Sequence, residues 1–197
     1  MDKKGPGKRM LACMQADAER MHQKEPAFKR VASMEMILLI VLACVFALTM
    51  RTFIYQVIRV QGESMEPNFH TNEQIIAEKL SYYFRQPEHG EIVICRYSDK
   101  GIPVIKRVIG LPGETVDIID GKVYIDAVEL DESEYWNDII YESMDAVYVP
   151  KGYIFVMGDN RNNSNDSRNV GPVPYYRIIG RAAFVLWPFK ELGPILK

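Results

Sequence analysis

Ser64 is the first residue of the chain whose surroundings suggest chemistry. It lies within residues 61–67, a segment that Gly62 and Pro67 mark as a turn. A serine hydroxyl attacks a carbonyl only when a base takes its proton, so a functional Ser64 requires a partner. Residues 61–67 alone favour the alternative, in which Ser64 is an ordinary turn or capping serine.

Lys106 is the candidate partner because it interrupts the apolar residues 104–109, which are typical of a β-strand. Burial disfavours an ammonium, so a lysine in such a strand can lose its proton near neutral pH and act as a general base. The strand pattern alone favours the alternative, an edge strand on which Lys106 faces water. Alternation sends Lys106 and Arg107 to opposite faces, which predicts that one of them points inward.

Residues 158–168 form a second unusual stretch, with four Asn, two Asp, two Ser and two Arg. Asn and Asp bond their own backbone, which predicts a structured loop. Asp166 with Arg168, or Asp159 with one of the arginines, could form ion pairs that fix its shape. A solvated loop is the alternative. A calcium loop does not fit, because the regular acidic series and the closing Glu are missing.

One apolar segment precedes these stretches. Residues 36–50 carry no charge, which is fewer than the roughly 20 residues that a helix needs to span a membrane. Arg51 can snorkel to the headgroups, which extends the predicted anchor to residues 34–55. A cleaved signal peptide and a buried core helix are the alternatives. Bulky residues after the run argue against the first, and apolar character all round argues against the second.

Charge predicts the orientation of this anchor. Residues 1–33 contain eight basic and four acidic residues, so the positive-inside bias keeps them in the cytoplasm and sends the chain beyond about residue 56 outside. We therefore predict a cytoplasmic polar leader at 1–33, a single-pass anchor of the cell membrane at 34–55, and an extracytoplasmic domain at 56–197.

The extracytoplasmic residues are predicted to form a mainly β domain with an antiparallel sheet. Asp120-Gly121 marks a two-residue hairpin turn, and a short helical turn is possible near residues 80–84. The acidic residues 128–147 are interpreted as an irregular insertion or loop without an assigned role. The predicted strands are residues 74–77, 91–96, 104–109, 115–119, 122–125, 153–157 and 182–186.

Composition excludes several classes of function. The net charge of −2 and the absence of a basic stripe in the sequence argue against nucleic-acid binding. Cys13, Cys44 and Cys95 lack metal-ligand spacing, and the predicted topology places them in different compartments, so no metal site or disulfide is expected. Cys95 is predicted to be a lone, buried thiol.

These stretches together resemble the bacterial type I signal peptidases, membrane-anchored serine proteases with a Ser–Lys dyad. Ser64-Met65-x-Pro67 resembles the family's nucleophile motif, and residues 106–113 resemble its lysine motif. Residues 90–94 and 158–168 resemble two further motifs of the family. The resemblance covers most of residues 34–190 and implies a signal-peptidase type of β domain behind one N-terminal transmembrane helix.

The resemblance also implies a role for each site residue. Ser64 is the nucleophile and supplies a backbone N–H to the oxyanion hole, Lys106 is the general base, and Ser164 positions the lysine amine. No metal or cofactor is implied. Gly62 and Val104 replace a hydroxyl donor and an aromatic residue found in some members. The residues that support the site are Met65, Pro67, Arg107, Asp159, Asp166 and Arg168.

The implied substrates are exported preproteins with signal peptides, bound as an added strand at a sheet edge. Membrane lipid is the second expected partner, because an apolar patch near Ser64 could enter the outer leaflet. A self-cleaving repressor with a Ser–Lys dyad and a non-catalytic, membrane-tethered β module are the alternative functions. The patch is predicted to contain Phe53, Ile54, Tyr55, Met65 and Phe69.

Overall fold

The computed structural model describes residues 10, 11, 14, 15, 33–136 and 138–195. The chain divides into two compact units, Met1–Thr49 and Met50–Lys197. The predicted leader, residues 1–33, lies almost entirely outside the described residues. The fold that follows is that of the second unit, together with the helix that leads into it.

The helix α1 extends over Ser33–Ile54 and is long and apolar enough to cross a membrane. Its last turn, Met50–Ile54, is π-helical. The side chains of residues 33–49 are exposed, which fits a lipid environment better than a protein core. The bounds of the helix lie within one residue of those predicted for the anchor, and its insertion into a membrane stays a prediction.

Strands dominate the rest of the described chain. The short helices are α2 (Ser81–Phe84) and α3 (Ser167–Val170), and 3₁₀ turns occupy Arg161–Asn163, Tyr175–Arg177 and Phe189–Glu191. The strands are β1 (Tyr55–Arg59), β2 (Gln74–Glu78), β3 (Ile92–Cys95), β4 (Val104–Gly110), β5 (Thr115–Ile119), β6 (Lys122–Ile125), β7 (Val128–Glu129), β8 (Met144–Tyr148), β9 (Tyr153–Met157), β10 (Val173–Pro174), β11 (Ile178–Trp187) and β12 (Gly193–Pro194).

The strands form two antiparallel sheets. The large sheet has the order β1-β2-β11-β3-β4-β9-β10, with β12 paired to β11, and the small sheet has the order β7-β6-β5-β8. Each of their strand pairs is antiparallel. The predicted class, a mainly β domain with an antiparallel sheet behind one apolar helix, is confirmed.

Strand β4 is covered on both faces, which matters for the site. Ile105 belongs to a core cluster with Met65 and Ile94, whereas Val108 belongs to another with Val93. A third cluster joins the end of β4 to the small sheet. Six of the seven residues of β4 are therefore buried, although strict alternation would bury only one face.

The sequence-based element predictions need several corrections, and the two-residue strands β10 and β12 were also missed. Residues 128–147 are not wholly irregular, because they contribute β7 and β8 to the small sheet. Strand β1 was missed because its apolar residues continue the anchor without a turn signal. Strand β11 is twice the predicted length. The predicted hairpin turn is confirmed, with positive φ at Asp120 and Gly121.

Candidate active site

The fold brings Ser64 and Lys106 together from positions 42 residues apart. Lys106 Nζ lies 2.5 Å from Ser64 Oγ. Ser64 is half-buried in the turn between β1 and β2, where the fully buried Met65 anchors the next position in the core. Lys106 projects from β4 and is only 2% exposed, so the edge-strand alternative for this lysine is wrong.

The surroundings of Lys106 favour its neutral form. Burial is the largest influence and lowers the pKa of the Lys106 amine. The negative charges of Asp166 and Asp159 oppose this shift, while the positive charge of Arg168 reinforces it. The amine therefore lies in contact with a serine hydroxyl and is neutral, and so able to act as a base, at a lower pH than a free lysine.

Arg107 is buried as well, at 3% exposure, so the prediction that one of Lys106 and Arg107 points inward was too weak. The two side chains do leave opposite faces of β4, but both faces are covered. Arg107 forms a two-pronged ion pair with Asp159, with Nε–Oδ1 and Nη2–Oδ2 distances of 2.7 Å. Asn68 Nδ2 donates to the same carboxylate at 2.8 Å.

Asp166 and Arg168 form a second ion pair inside the 158–168 loop, at 2.8 Å and 2.9 Å. Burial alone would raise the pKa of the Asp166 carboxyl, but the hydrogen bonds and charge of Arg168 outweigh burial and lower it. Asp166 also accepts from the backbone N–H of Gly158 at 3.0 Å. The carboxylate therefore stays charged and fixes both ends of the loop.

The loop packs directly against the nucleophile turn. The backbone N–H of Asn160 donates to the Ser64 carbonyl oxygen at 3.1 Å, and Asn160 Nδ2 donates to the Glu63 carbonyl oxygen at 3.1 Å. A Cβ at Gly158 would collide with the Ser64 carbonyl oxygen and the Ser164 side chain. Close approach, not a special φ, explains this glycine.

Ser164 lies beside Gly158, but it forms no hydrogen bond to Lys106 in the structure. Its hydroxyl oxygen is buried and has no hydrogen-bond partner among the described residues. The hydroxyl still helps to lower the pKa of Asp166, although its geometry falls outside a normal hydrogen bond. The predicted positioning of Lys106 by Ser164 therefore stays a prediction.

A cleft of about 670 Å³ opens onto the two reactive atoms. Ile102 and Val104 give it an apolar wall, and Tyr97 and Glu63 also line it. Tyr97 and Ile102 were missed in the sequence, where residues 98–103 show only an ordinary turn signal. Their proximity to Ser64 follows from the pairing of β3 with β4.

A second group of missed residues lies behind the ion pairs. Arg161 is 1% exposed and forms a 2.5 Å ion pair with Glu132. The Tyr135 ring lies 4.0 Å from the Arg107 guanidinium carbon and 5.7 Å from that of Arg161. No sequence signal identified Glu132 and Tyr135, because their segment lacks a motif and its arginine partners are distant in the sequence.

Within the part of the chain that the structure describes, no group of three or more His, Cys, Asp or Glu side chains could hold a metal ion. Pro67, in the turn that carries Ser64, is exposed.

Cys95 is fully buried, and burial raises the pKa of its thiol to about 12. Cys95 is therefore the buried thiol that the sequence predicted.

A buried lysine amine in contact with a serine hydroxyl, beneath a cleft, is the arrangement of a serine hydrolase that uses lysine as its base. The family model described as "Signal peptidase, peptidase S26" matches residues 33–187. The chain belongs to this family. It is therefore a membrane serine protease of the class that removes signal peptides, as its motifs predicted.

Named relatives agree with this assignment. "Probable signal peptidase I-1" of Synechocystis sp. is 40% identical over 169 residues, which cover 82% of this chain and 86% of that protein. "Signal peptidase I" of Bacillus licheniformis is 34% identical over 182 residues, which cover 87% and 98% of the two chains. A crystal structure of a signal peptidase I from Enterococcus faecalis V583 aligns with 49% of this chain and 97% of that one, at 33% identity and a TM-score of 0.44.

Proposed function

We propose that Ser64 is the nucleophile and Lys106 the general base of this signal peptidase. The observation that carries the proposal is the 2.5 Å contact between Ser64 Oγ and the buried Lys106 amine. A neutral amine at that distance can accept the hydroxyl proton as the oxygen attacks. The self-cleaving repressor belongs to a different family, and the intact contact argues against a non-catalytic module.

The reaction proceeds through an acyl-enzyme. Ser64 Oγ attacks the scissile carbonyl carbon while its proton moves to Lys106 Nζ, and a tetrahedral oxyanion forms. The C–N bond then breaks, and the Lys106 ammonium returns the proton to the leaving amine. Lys106 next takes a proton from a water molecule as the water oxygen attacks the ester carbonyl carbon, and it returns that proton to Ser64 Oγ as the ester C–O bond breaks.

The Ser64 backbone N–H is proposed to stabilise the oxyanion. No hydrogen bond within the described residues uses this N–H, so it is free to donate to a developing negative charge. Gly62 has no side chain to provide a second donor. Ser164 is proposed to hold the lysine amine once the hydroxyl turns toward it, since its buried oxygen forms no hydrogen bond of normal geometry in the described chain.

Exported preproteins with signal peptides are the proposed substrates, bound as extended chain in the cleft above Ser64. The apolar wall formed by Ile102 and Val104 is suited to small aliphatic side chains near the scissile bond. Arg107, Asp159, Asp166 and Arg168 are proposed to support the site through their two buried ion pairs, and Met65 and Pro67 through the turn that carries Ser64.

The proposed topology has residues 1–33 in the cytoplasm, an anchor at 34–55 and the catalytic domain outside. Helix α1 supports the anchor, and the charge of the leader supports the orientation. Single cysteines placed at positions 13 and 98 of a cysteine-free variant test it with an impermeant thiol reagent in intact cells. Labelling at 98 alone is expected, and labelling at 13 alone would reverse the orientation.

The membrane-contact hypothesis requires a different set of residues from the predicted one. Met65 and Phe69 are buried in the core of the large sheet, so they cannot enter lipid. Phe53, Tyr55 and Val57 remain well exposed, and we propose that these residues touch the membrane surface. Replacing Phe53 and Tyr55 by Ser should slow cleavage of a liposome-bound precursor severalfold more than cleavage of a short soluble peptide.

The nucleophile assignment is tested by precursor cleavage with Ser64→Ala and wild-type chains, both full-length in detergent. Loss of turnover by on the order of a thousandfold or more is expected, because no other group replaces the Ser64 oxygen. The wild-type chain should also accumulate a serine-linked acyl-enzyme during a rapid burst. Wild-type turnover in Ser64→Ala would show that another residue attacks the substrate.

A further inference from the structure

The segment between β7 and β8 reaches the back of the active site with two side chains. Glu132 forms a buried ion pair with Arg161, and Tyr135 lies over the guanidinium groups of both Arg107 and Arg161. We propose that Glu132 and Tyr135 are positioning residues that clamp these arginines and thereby hold Ser64 against Lys106. The inference rests on the proposed roles of Ser64 and Lys106.

The connection from Glu132 to the nucleophile is short. Arg161 Nε donates to the Gly158 carbonyl oxygen at 3.0 Å, and Gly158 lies so close to the Ser64 carbonyl oxygen that an added Cβ would collide with it. Two residues after Gly158, the backbone N–H of Asn160 donates to the same Ser64 carbonyl oxygen. Glu132 therefore fixes Arg161, and Arg161 fixes the turn behind Ser64.

Charge balance makes Glu132 necessary to this arrangement. Arg107 and Arg168 are neutralised by the aspartates described above, and Glu132 is the carboxylate that forms an ion pair with Arg161. Arg161 is 1% exposed and Glu132 only 9% exposed. Removing one partner of a buried pair leaves an uncompensated charge, and the remaining side chain must then move toward water. Movement of Arg161 would release Gly158.

Tyr135 acts on the other arginine through its ring and its backbone. The ring face lies on the Arg107 guanidinium at 4.0 Å, a contact that favours a cation. The Tyr135 carbonyl oxygen accepts a 3.3 Å hydrogen bond from Asn68 Nδ2, which also binds Asp159. The Tyr135 hydroxyl donates to Glu132 Oε1 at 3.3 Å. Tyr135 thus contacts Arg107 directly and Asp159 through Asn68, so it links the segment to both members of the Arg107–Asp159 pair.

The sequence supplies a matched control for the charge of Glu132. Glu129, three residues earlier at the end of β7, forms a 2.6 Å ion pair with Lys122, but both side chains are about half exposed. Glu129→Gln therefore makes the same chemical change at a pair that touches no site residue. A general weakening of the segment would affect both variants, whereas the clamp predicts an effect of Glu132→Gln alone.

The test measures kcat, KM and the melting temperature of full-length variants in detergent, with one precursor peptide as substrate. Glu132→Gln should lower kcat at least about tenfold with KM within about threefold, because misplacing a reacting group by a fraction of an ångström lowers its rate. Glu129→Gln should keep kcat within about twofold of wild type. Equal kcat values for the two variants, or a change confined to KM or melting temperature, would overturn the clamp.

Tyr135 provides a second measurement that stands if Glu132→Gln fails to fold. Tyr135→Leu removes the ring from Arg107 and should lower kcat at least about fivefold, whereas Tyr135→Phe keeps the ring and should lose less than about threefold. Equal kcat values for Phe and Leu would overturn the role of Tyr135. Ser64→Ala, assayed in parallel, separates the two proposals, since its retained turnover would overturn the nucleophile assignment, not the clamp.

Discussion

The large sheet buries charged side chains, whereas the small sheet keeps its charged pair exposed. Strand β4 of the large sheet buries Lys106 and Arg107 side by side, and the site residues Asp159 and Asp166 are fully buried beside it. The small sheet instead keeps Lys122 and Glu129 in an exposed pair. Its strand β5 alternates between buried and less buried positions, as expected for a sheet with one covered face.

The cost of burying charge therefore falls on the large sheet, which contains the candidate site. A buried charge is costly unless it is paired and hydrogen-bonded, and a buried amine without a carboxylate partner loses its proton more readily. Strand β4 pairs its buried Arg107 with Asp159 but leaves Lys106 against a serine hydroxyl. The one lysine that the site leaves without an ion pair is therefore the one proposed to act as a base.

Replacing Lys106 by Arg should have the largest effect. The variant keeps the positive charge, but a guanidinium does not lose its proton, so turnover should fall by on the order of a thousandfold or more. Single-turnover cleavage of a precursor peptide measures this loss. Lys122→Arg in the small sheet is the matched control and should leave turnover unchanged. Near-wild-type cleavage by Lys106→Arg would show that Lys106 is not the base.

Asp159→Asn should come next, as a loss of stability. The substitution keeps the side-chain shape but leaves the buried Arg107 guanidinium unpaired, which should lower the free energy of unfolding by about 3–5 kcal/mol. Denaturant unfolding in detergent, followed by tryptophan fluorescence, measures the change. The exposed pair offers the comparison, since Glu129→Gln should leave stability nearly unchanged. Similar losses in both variants would remove the distinction between the sheets.

The pH dependence of cleavage should reveal the lowered pKa of Lys106. Only the neutral amine accepts a proton, so kcat/KM should fall about tenfold for each pH unit below that pKa and level off above it. Because burial lowers the pKa, the midpoint should lie below the ordinary lysine value of 10.5. A pH–rate profile on one peptide measures the midpoint. A midpoint at or above 10.5 would contradict the buried, neutral base.

Glu63→Gln should have the smallest effect, because this charge is at the site yet exposed as in the small sheet. Its carboxylate lines the cleft beside Ser64 and should favour substrates with a basic residue near the scissile bond by about two- to fourfold. Competition between Lys- and Gln-containing peptides measures the preference. The preference for the Lys-containing peptide should disappear in Glu63→Gln and, for the wild-type chain, in high salt. A preference that remains under both conditions would come from another group.

The sequence predicted the parts of the molecule that depend on local pattern. Strand β5, strand β6 and their Asp120-Gly121 turn were predicted at the observed bounds, because alternation and turn residues are local signals. Strand β1 was missed, because an apolar strand that follows an apolar helix has no boundary in the sequence. The ends of elements are in general less certain than their existence.

The site could be predicted only as far as its motifs extend. Ser64, Lys106 and the acidic and basic residues of the 158–168 loop were recognised through family resemblance, and the structure brings them together. The burial of both Lys106 and Arg107 was not predicted, since alternation assumes one solvent face and β4 has none. Glu132 and Tyr135 lie in the segment that was left without a role, because contacts with residues distant in the chain leave no periodic pattern in the sequence.

The close approach at Gly158 has a consequence for how the chain tolerates change. In a library with all twenty residues at Gly62 and Gly158, the two positions should respond differently under selection for secretion. Gly62 has a φ of 85° and no atom within 4 Å of a Cβ, so Asn and Asp should survive beside Gly. At Gly158 every side chain meets the Ser64 backbone, so Gly alone should survive. One glycine specifies a dihedral angle, and the other specifies a volume.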